Sequence, residues 1–142
     1  MTQLLKFIRS SRIRVLSINY CALGDVGGMI VAEAIQDSRN MKELYARKNE
    51  FRDKTAKVFA HSFENNNSDI EKVDLAGNLI NDSGGELIGL SLSSNSTLQH
   101  LDLRKNNLRA TSGVMFVQSL KDNKTLKSLK LQNNSINISF LE

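Results

Sequence analysis

The sequence predicts an α/β solenoid, a horseshoe segment with parallel strands on the concave face and helices on the convex face. Two observations lead to this fold class. One apolar pattern recurs five times in the 142 residues, at steps of 28, 29, 28 and 28 residues, and a fixed period of this length is typical of stacked repeats. Within each period a short alternation of apolar residues, typical of a strand, precedes apolar residues at helical spacing.

The recurring pattern has the form L-x-x-L-x-L-x-x-N-x-L, in which L stands for an apolar residue. Its copies occupy residues 13–23, 41–51, 70–80, 98–108 and 126–136. The pattern resembles the leucine-rich repeat family over residues 13–142, and its length resembles the ribonuclease-inhibitor-like class of that family. The resemblance implies a horseshoe with strands inside and helices outside. It implies less about function, because one scaffold hosts many roles.

The length and the repeat phase place residues 1–142 in a single domain. Residues 1–12 precede the first strand and carry an apolar patch, so we interpret them either as the helix of a preceding repeat or as a capping helix. The repeats follow at residues 13–40, 41–69, 70–97, 98–125 and, incomplete, 126–142. Both ends look unfinished, because a solenoid end without a polar cap leaves its apolar face open. We therefore expect a longer repeat protein or a larger assembly, in which neighbouring repeats or subunits cover the ends.

Strands are expected near residues 15–19, 43–47, 72–76, 100–104 and 128–132, and helices near residues 26–37, 54–64, 83–93 and 111–121. An aspartate stands where it can cap each of the first three helices, namely Asp25, Asp53 and Asp82. In the fourth repeat Ala110 has this place, and Thr111 or Ser112 would take over. The inner helix faces are predicted to include Leu87 and Leu120.

The ninth position of the pattern predicts a structural ladder. An asparagine side chain carries both donor and acceptor groups, so asparagines stacked in successive repeats can satisfy the backbone of neighbouring turns. The predicted ladder consists of Asn49, Asn78, Asn106 and Asn134, with Cys21 in the first repeat. We expect Cys21 to be buried there as a weaker S–H donor rather than to be a reactive thiol.

Composition favours a cytoplasmic protein in a reducing, intracellular compartment. The single cysteine excludes an internal disulfide, and no N-terminal apolar run resembles a signal peptide. No stretch of 18 apolar residues predicts a membrane span. Six N-x-S/T tripeptides are attributed to the abundance of these residue types, at Asn66, Asn81, Asn95, Asn123, Asn133 and Asn137.

The charge distribution argues against a nucleic-acid partner. The net charge is +4 in residues 1–14, −4 in residues 15–97 and +4 in residues 98–142. A nucleic-acid-binding protein usually shows a continuous basic face together with a recognisable motif. The sequence has two basic ends but neither of these features.

Nothing in the sequence predicts catalysis, a cofactor or a metal site, so we do not expect an enzyme. His61 is placed on a helix and His100 on a strand, where Lys72 precedes it one repeat earlier, and lysine is a poor metal ligand. Asp74 and Asp102 are one repeat apart and could form a carboxylate pair, but outward strand positions are normally polar. We interpret these two aspartates as solvated surface.

The predicted function is a non-enzymatic protein–protein interaction scaffold that uses its concave strand face. A second hypothesis is a GTPase regulator, because the repeat class resembles that of the Ran GTPase-activating protein. Such a role would use an arginine, and Arg47 and Arg104 are the candidates on the concave surface. A third hypothesis is a structural subunit of a cytoskeletal or ciliary complex, or the sensor repeats of a NOD-like receptor.

The predicted partner site is a dip over the third repeat. The small Ala76–Gly77 step is expected between the basic pairs Arg47–Lys48 and Arg104–Lys105. Four cations around a dip suit an acidic side chain or an acidic segment of a protein, although Asp74 and Asp102 could instead neutralise the arginines. The candidate partner-binding residues are Tyr20, Tyr45, Arg47, Lys48, Asp74, Ala76, Gly77, His100, Asp102, Arg104, Lys105 and Lys130.

Overall fold

The computed structural model describes residues 2–10, 12–36, 38–66 and 68–137. Helices and strands alternate along them. The helices are α1 (Thr2–Ser10), α2 (Gly24–Gln36), α3 (Asp53–Asn65), α4 (Asp82–Ser91) and α5 (Ala110–Leu120). The strands are β1 (Val15–Ser17), β2 (Glu43–Tyr45), β3 (Lys72–Asp74), β4 (His100–Asp102) and β5 (Ser128–Lys130).

The five strands form one parallel sheet in the order β1-β2-β3-β4-β5, as predicted. Equivalent pattern positions pair throughout, so that Leu44 lies opposite Val73 and Val73 lies opposite Leu101. Each strand is two residues shorter than predicted. In β3 and β4 an aspartate accounts for this, because Asp74 Oδ1 accepts the backbone N–H of Ala76 and Asp102 Oδ1 accepts that of Arg104.

The apolar core lies between the sheet and the helices. Leu44, Val73 and Leu101 point into it from the strands and are almost completely buried. Phe59 stacks between Phe51 and Phe63, with ring centroids 6.5 and 6.0 Å away. The pattern therefore identifies the core side of every strand, which is what leaves the alternate strand residues for the concave face.

Helices of successive repeats pack closely because small residues stand where they meet. A Cβ atom at Gly85 would lie 2.3 Å from Ser112 Oγ, and one at Gly28 would lie 2.4 Å from Thr55 Oγ1. Neither distance is sterically possible. The two glycines thus allow the next helix to approach.

The first helix does not follow the phase of the others. Counting back one period places Phe7 at the position of the buried Ile35 and Phe63, yet Phe7 is 58% exposed and its neighbour Ile8 is buried instead. The helix α1 packs on α2, and no strand precedes β1 among the residues that the structure describes. This phase shift fits a capping helix better than the helix of a regular repeat.

Two residues predicted on inner helix faces are exposed. Leu87 and Leu120 are each 38% exposed. Leu120 lies on α5, which no further helix covers within the described part of the chain, whereas its equivalent Leu92 is buried under α5. The prediction was therefore wrong for these two positions. Most of the other predicted inner positions are buried, for example Val31, Phe59 and Ile88.

The regularly spaced aspartates cap the helix of the following repeat and not the helix at whose start they stand. This corrects the predicted caps. Asp82 Oδ1 accepts the N–H groups of Arg109 and Ser112 at the start of α5, and also the Ser112 hydroxyl. Asp53 accepts the N–H of Asn81 before α4, and Asp25 accepts the N–H of Arg52 before α3. The residues directly before α3, α4 and α5 provide no side-chain cap of their own.

The asparagine ladder has the predicted form. Asn78 Oδ1 accepts the N–H groups of Asn49 and Phe51, while its Nδ2 donates to the carbonyls of Ala46 and Leu75. The other ladder asparagines make equivalent bonds, namely Asn49, Asn106 and Asn134. Asn49, Asn78 and Asn106 are buried, and Asn134 is half-buried in the last described repeat.

Cys21 does not join the ladder as a buried residue. It is exposed, and its thiol contacts only the carbonyl of Asn19, at 3.5 Å. A ladder side chain bonds to the repeat before it, and the described residues contain no strand before β1. The predicted burial of Cys21 was therefore wrong.

A second ladder, which the pattern did not predict, closes the loops that precede the strands. Asn95 Oδ1 accepts the N–H of Leu98 and its Nδ2 donates to the carbonyl of Phe63. Asn123 repeats this arrangement with Leu126 and Leu92. Two of the six N-x-S/T tripeptides are thus explained by the structural roles of Asn95 and Asn123. Separately, no described helix is long and apolar enough to cross a membrane.

Candidate partner-binding surface

The concave face of the sheet carries an excess of positive charge. It comprises the outward strand residues and the two residues at the turn that follows each strand. Its charged residues are the basic Arg47, Lys48, Lys72, Arg104, Lys105 and Lys130 and the acidic Glu43, Asp74 and Asp102. With histidine neutral the net charge of this face is +3.

Two arginines and two aspartates on this face neutralise each other. Arg47 Nε lies 2.5 Å from Asp74 Oδ2, and Arg104 binds Asp102 through Nε at 3.0 and 3.1 Å and through Nη2 at 2.7 Å. Arg47 Nη2 also lies 3.7 Å from Asp102. We call these four residues the ion network, and it occupies the centre of the sheet.

The ion network corrects the interpretation of Asp74 and Asp102 as solvated surface, because both are buried. Burial alone would raise the pKa of Asp102, but hydrogen bonds and the charge from Arg104 outweigh it and hold that pKa below its ordinary value. The hydrogen bond to Asp74 raises the pKa of Arg47, and the hydrogen bond to Asp102 raises that of Arg104. Arg47, Asp102 and Arg104 are therefore charged at neutral pH.

One residue per repeat has a left-handed backbone at the turn after the strand. These residues are Tyr20, Lys48, Gly77, Lys105 and Asn133, with φ between 52° and 70°. The first four donate their N–H groups to carbonyls of the next repeat, at 2.8 to 3.1 Å. They therefore form a fixed row across the concave face, which we call the turn row.

The turn row has a gap at Gly77. The gap is the floor of a hollow whose walls are Tyr20, Arg47, Lys48, Ala76, Arg104 and Lys105. The aliphatic part of Lys48 lies beside the gap, since a Cβ atom at Gly77 would be 2.8 Å from Lys48 Cγ. The structure thus forms the dip that the sequence predicted and brings all seven of these candidate residues to it.

Lys48 and Lys105 are exposed on either side of the gap. Neither forms an ion pair with an acidic residue in the described ranges. The Lys48 ammonium lies 5.9 Å from the centre of the Tyr20 ring, which is itself 68% exposed. The charge of these lysines is therefore available to a partner.

The other candidates line a second hollow nearer the start of the strands. Tyr45, Lys72, His100 and Lys130 contribute to it, together with both aspartates of the ion network. Tyr45 donates its hydroxyl proton to Glu43 at 2.7 Å, and Lys72 lies 5.0 Å from the Tyr45 ring centre. The hydrogen bond with Tyr45 raises the pKa of Lys72. Internal contacts thus occupy more of this hollow than of the first.

Within the described residues, no group of three His, Cys, Asp or Glu side chains could hold a metal ion. The turn row is the feature that sequence reasoning found only in part. The pattern located its residues, but Lys48, Lys105 and Tyr20 carry no sign in the sequence of a left-handed backbone. Gly77 and Asn133 are the members whose residue types favour it.

Comparisons with known proteins agree with this architecture. The sequence model of a family described as "Leucine Rich repeat" matches residues 10–32, 66–89 and 94–117, which together make up half of the chain. A comparison with curated protein sequences gave no match.

Two solved structures have the same fold. A structure described as leiomodin-1 actin-binding site 2 matches with a TM-score of 0.81 at 19% identity, over 92% of this chain and 78% of that chain. The tropomodulin C-terminal domain of Caenorhabditis elegans matches with a TM-score of 0.79 at 10% identity, over 92% of this chain and 81% of that chain. At these identities the likeness concerns the fold alone.

Proposed function

We propose a function from one premise, which is that the chain belongs to the leucine-rich repeat family. The function is a non-enzymatic protein-interaction scaffold that holds a protein partner on its concave strand face. The observation that carries this proposal is the hollow over Gly77, where two exposed lysines stand beside an exposed tyrosine. Lysine charge attracts an acidic segment, and tyrosine offers a large contact area at low entropy cost.

The ion network changes which residues should carry the interaction. Arg47 and Arg104 are engaged by buried aspartates, so they are poorly placed to clamp a partner or to reach into a GTPase site. Reversing their charge would also leave Asp74 and Asp102 buried without compensation, which destabilises the fold. Lys48 and Lys105 are therefore the better positions for a test.

The experiment is affinity capture from a native extract with three proteins: the unchanged chain, Lys48→Glu/Lys105→Glu, and the convex-face control Lys57→Glu/Lys121→Glu. All four lysines are exposed, so the variants are matched in charge and in expected stability. We expect the concave variant to lose partners that the control retains. Partners lost only by the control would place the interaction on the helices and end this proposal.

Actin is the partner to test by name. The reason is the fold likeness of 92% of the chain to a leiomodin-1 domain whose description is an actin-binding site. This candidate agrees with the cytoskeletal alternative among the hypotheses from the sequence. Co-sedimentation with actin filaments and size-exclusion chromatography with actin monomers measure it directly. Absence of binding in both assays at tens of micromolar would remove actin and leave the scaffold proposal in place.

A further inference from the structure

We infer that Lys48 and Lys105 together read two acidic side chains that stand two residues apart in an extended segment of the partner. This inference rests on the proposed function, because it assigns a ligand chemistry to the same concave face. It differs from a general preference for acidic proteins in naming both the groups that bind and the spacing they select. The charge, the position and the spacing of the two lysines support this inference.

Internal ion pairs make Arg47 and Arg104 poorer binding groups for an acidic segment than Lys48 and Lys105. Each arginine of the ion network is within 2.7 Å of a carboxylate oxygen, and that carboxylate is at least nine-tenths buried. An incoming acid would meet guanidinium groups whose charge these internal carboxylates already compensate. The two lysines have no acidic partner among the described residues and lose nothing comparable when they bind.

The backbone fixes the positions of the two lysines. Lys48 and Lys105 are held in the turn row by hydrogen bonds from their N–H groups to Ala76 and Gln132. Two strand steps separate them, which corresponds to about 10 Å. Gly77 stands between them with no side chain and with φ of 70°. The two lysines are therefore held at a fixed spacing, and the Lys48 stem lies over Gly77 between them.

The spacing of the two lysines selects the shape of the ligand. In an extended segment, side chains at positions i and i+2 point to the same face and lie roughly 7 Å apart. The flexible lysine stems can close the remaining ~3 Å by leaning over the gap. Neighbouring residues i and i+1 point to opposite faces, so an adjacent acidic pair cannot engage both lysines.

The test is an NMR titration of the isotope-labelled full chain with four synthetic peptides, the first three of which contain only glycine and serine around their two glutamates or glutamines. The first peptide has the sequence Glu-x-Glu, and the second separates the glutamates by six positions with the same composition and charge. A third has Gln-x-Gln, and a fourth places glutamates four positions apart in an alanine-rich helix. The protein variants are Lys48→Gln/Lys105→Gln and the control Lys57→Gln/Lys121→Gln.

We expect the Glu-x-Glu peptide to shift the amide signals of Lys48, Gly77 and Lys105 and to bind more tightly than the other three. The Lys48→Gln/Lys105→Gln variant should weaken this binding about tenfold, the size expected for two exposed ion pairs, while the control variant leaves it unchanged. The spectra themselves report whether each variant is folded. Binding should also weaken between 50 and 300 mM salt, because exposed pairs are screened.

Equal binding of the two spacings, preference for the helical peptide, or unchanged binding by the Lys48→Gln/Lys105→Gln variant would each overturn the inference. The proposed function fails differently. If Lys48→Glu/Lys105→Glu abolishes capture of a protein but Glu-x-Glu peptides do not bind, the concave scaffold stands and the paired-acid ligand is wrong. If capture is insensitive to the concave variant, both are wrong.

Discussion

At the scale of single residues, two sets of side chains have opposite effects on stability. The ladder asparagines satisfy backbone groups of two repeats at once, and no buried side-chain N or O atom of the described residues lacks a hydrogen-bond partner. The turn row holds Lys48 and Lys105 in a left-handed conformation, which costs a residue other than glycine on the order of 1 kcal/mol. The ladder stabilises the fold, whereas the turn row strains it where the proposed partner binds.

The first prediction concerns the ladder. Asn78→Ala and Asn106→Ala should each lower the free energy of unfolding by about 1–3 kcal/mol, because buried N–H and C=O groups lose their partners. Urea denaturation followed by circular dichroism measures the change. Cys21→Ala is the control and should have no effect, since the exposed thiol supports no neighbouring turn. Unchanged midpoints for both asparagine variants would contradict a structural ladder.

The second prediction links strain to binding. Lys105→Gly should raise the free energy of unfolding by up to ~1 kcal/mol, because glycine adopts a left-handed backbone without strain, although its larger entropy in the unfolded chain offsets part of the gain. The same change should remove the contribution of Lys105 to partner binding. Thermal unfolding and the peptide titration measure the two effects. A Gly77→Ala variant should instead have a lower free energy of unfolding. Its Cβ atom would clash with the Lys48 stem, and alanine is strained at the positive φ of this position.

Residue identities predicted the ladder, but they indicated the ion network only as an alternative, in which Asp74 and Asp102 neutralise the arginines. Asparagine at a fixed position every 28 or 29 residues has few interpretations other than a repeated backbone contact. Asp74 and Asp102 looked like ordinary outward strand residues, although each is bonded by an arginine, Asp74 by Arg47 of another repeat and Asp102 by Arg104 of the same repeat. Arg47 is 27 residues away from Asp74 in the chain, and nothing in the local sequence fixes that contact.

At the scale of elements, each helix start depends on the repeat before it. The aspartate at the start of one helix accepts N–H groups at the start of the next, as Asp82 does for α5. The sequence predicted that these aspartates cap helices, and the positions of the helices to within two residues at their starts. It could not predict which helix each one caps, because a capping motif read along the chain assumes a local bond. Stacking at close spacing brings each aspartate within hydrogen-bond distance of N–H groups at the start of the next helix.

The third prediction concerns this cap. Asp82→Ala should lower the free energy of unfolding by about 1 kcal/mol at pH 7, the usual cost of losing a helix cap. Partial burial alone would raise the pKa of Asp82, but hydrogen bonds from Ser112 and Arg109 outweigh it, so the pKa lies below its ordinary value. Stability from a depressed pKa is present above the unfolded value, about 3.9, and is lost as the pH falls through the folded one.

The difference between Asp82→Ala and the unchanged chain should therefore be largest near neutral pH and shrink below pH ~4. Urea denaturation at several pH values measures it. Asp122→Ala is the matched control, because Asp122 is exposed and its side chain makes no cap. A difference that grows on acidification would have the wrong sign for a carboxylate that is charged in the folded state.

At the scale of the whole molecule, the chain is a stack in which helices and strands pack on those of adjacent repeats, and the Arg47–Asp102 ion pair reaches one repeat further. The described residues leave apolar side chains exposed on both outer surfaces of this stack. Phe7 is 58% exposed on α1, and Val117 and Leu120 are 44% and 38% exposed on α5. These surfaces agree with the expectation from the sequence that neighbouring repeats or subunits cover the ends, which no observation tests yet.

The fourth prediction is that the chain as given self-associates in a concentration-dependent manner, because exposed apolar surface of this kind favours association. Sedimentation velocity between micromolar and submillimolar concentrations measures it. Val117→Glu/Leu120→Glu should shift the distribution towards the monomer, and the helix-face control Lys57→Glu should not. A single monomeric species at every concentration would contradict the prediction.

The direction of the cross-repeat bonds has a consequence for how such a chain can change over evolution. Each ladder asparagine bonds to the repeat before it and each aspartate bonds to the repeat after it. An in-frame duplication of residues 70–97, which carry both Asn78 and Asp82, would therefore recreate both kinds of bond at the new boundary without any further substitution. A duplicated block that carried Gly77 would add a second gap to the turn row. Gene duplication could thus lengthen the array and multiply its binding positions in the same step.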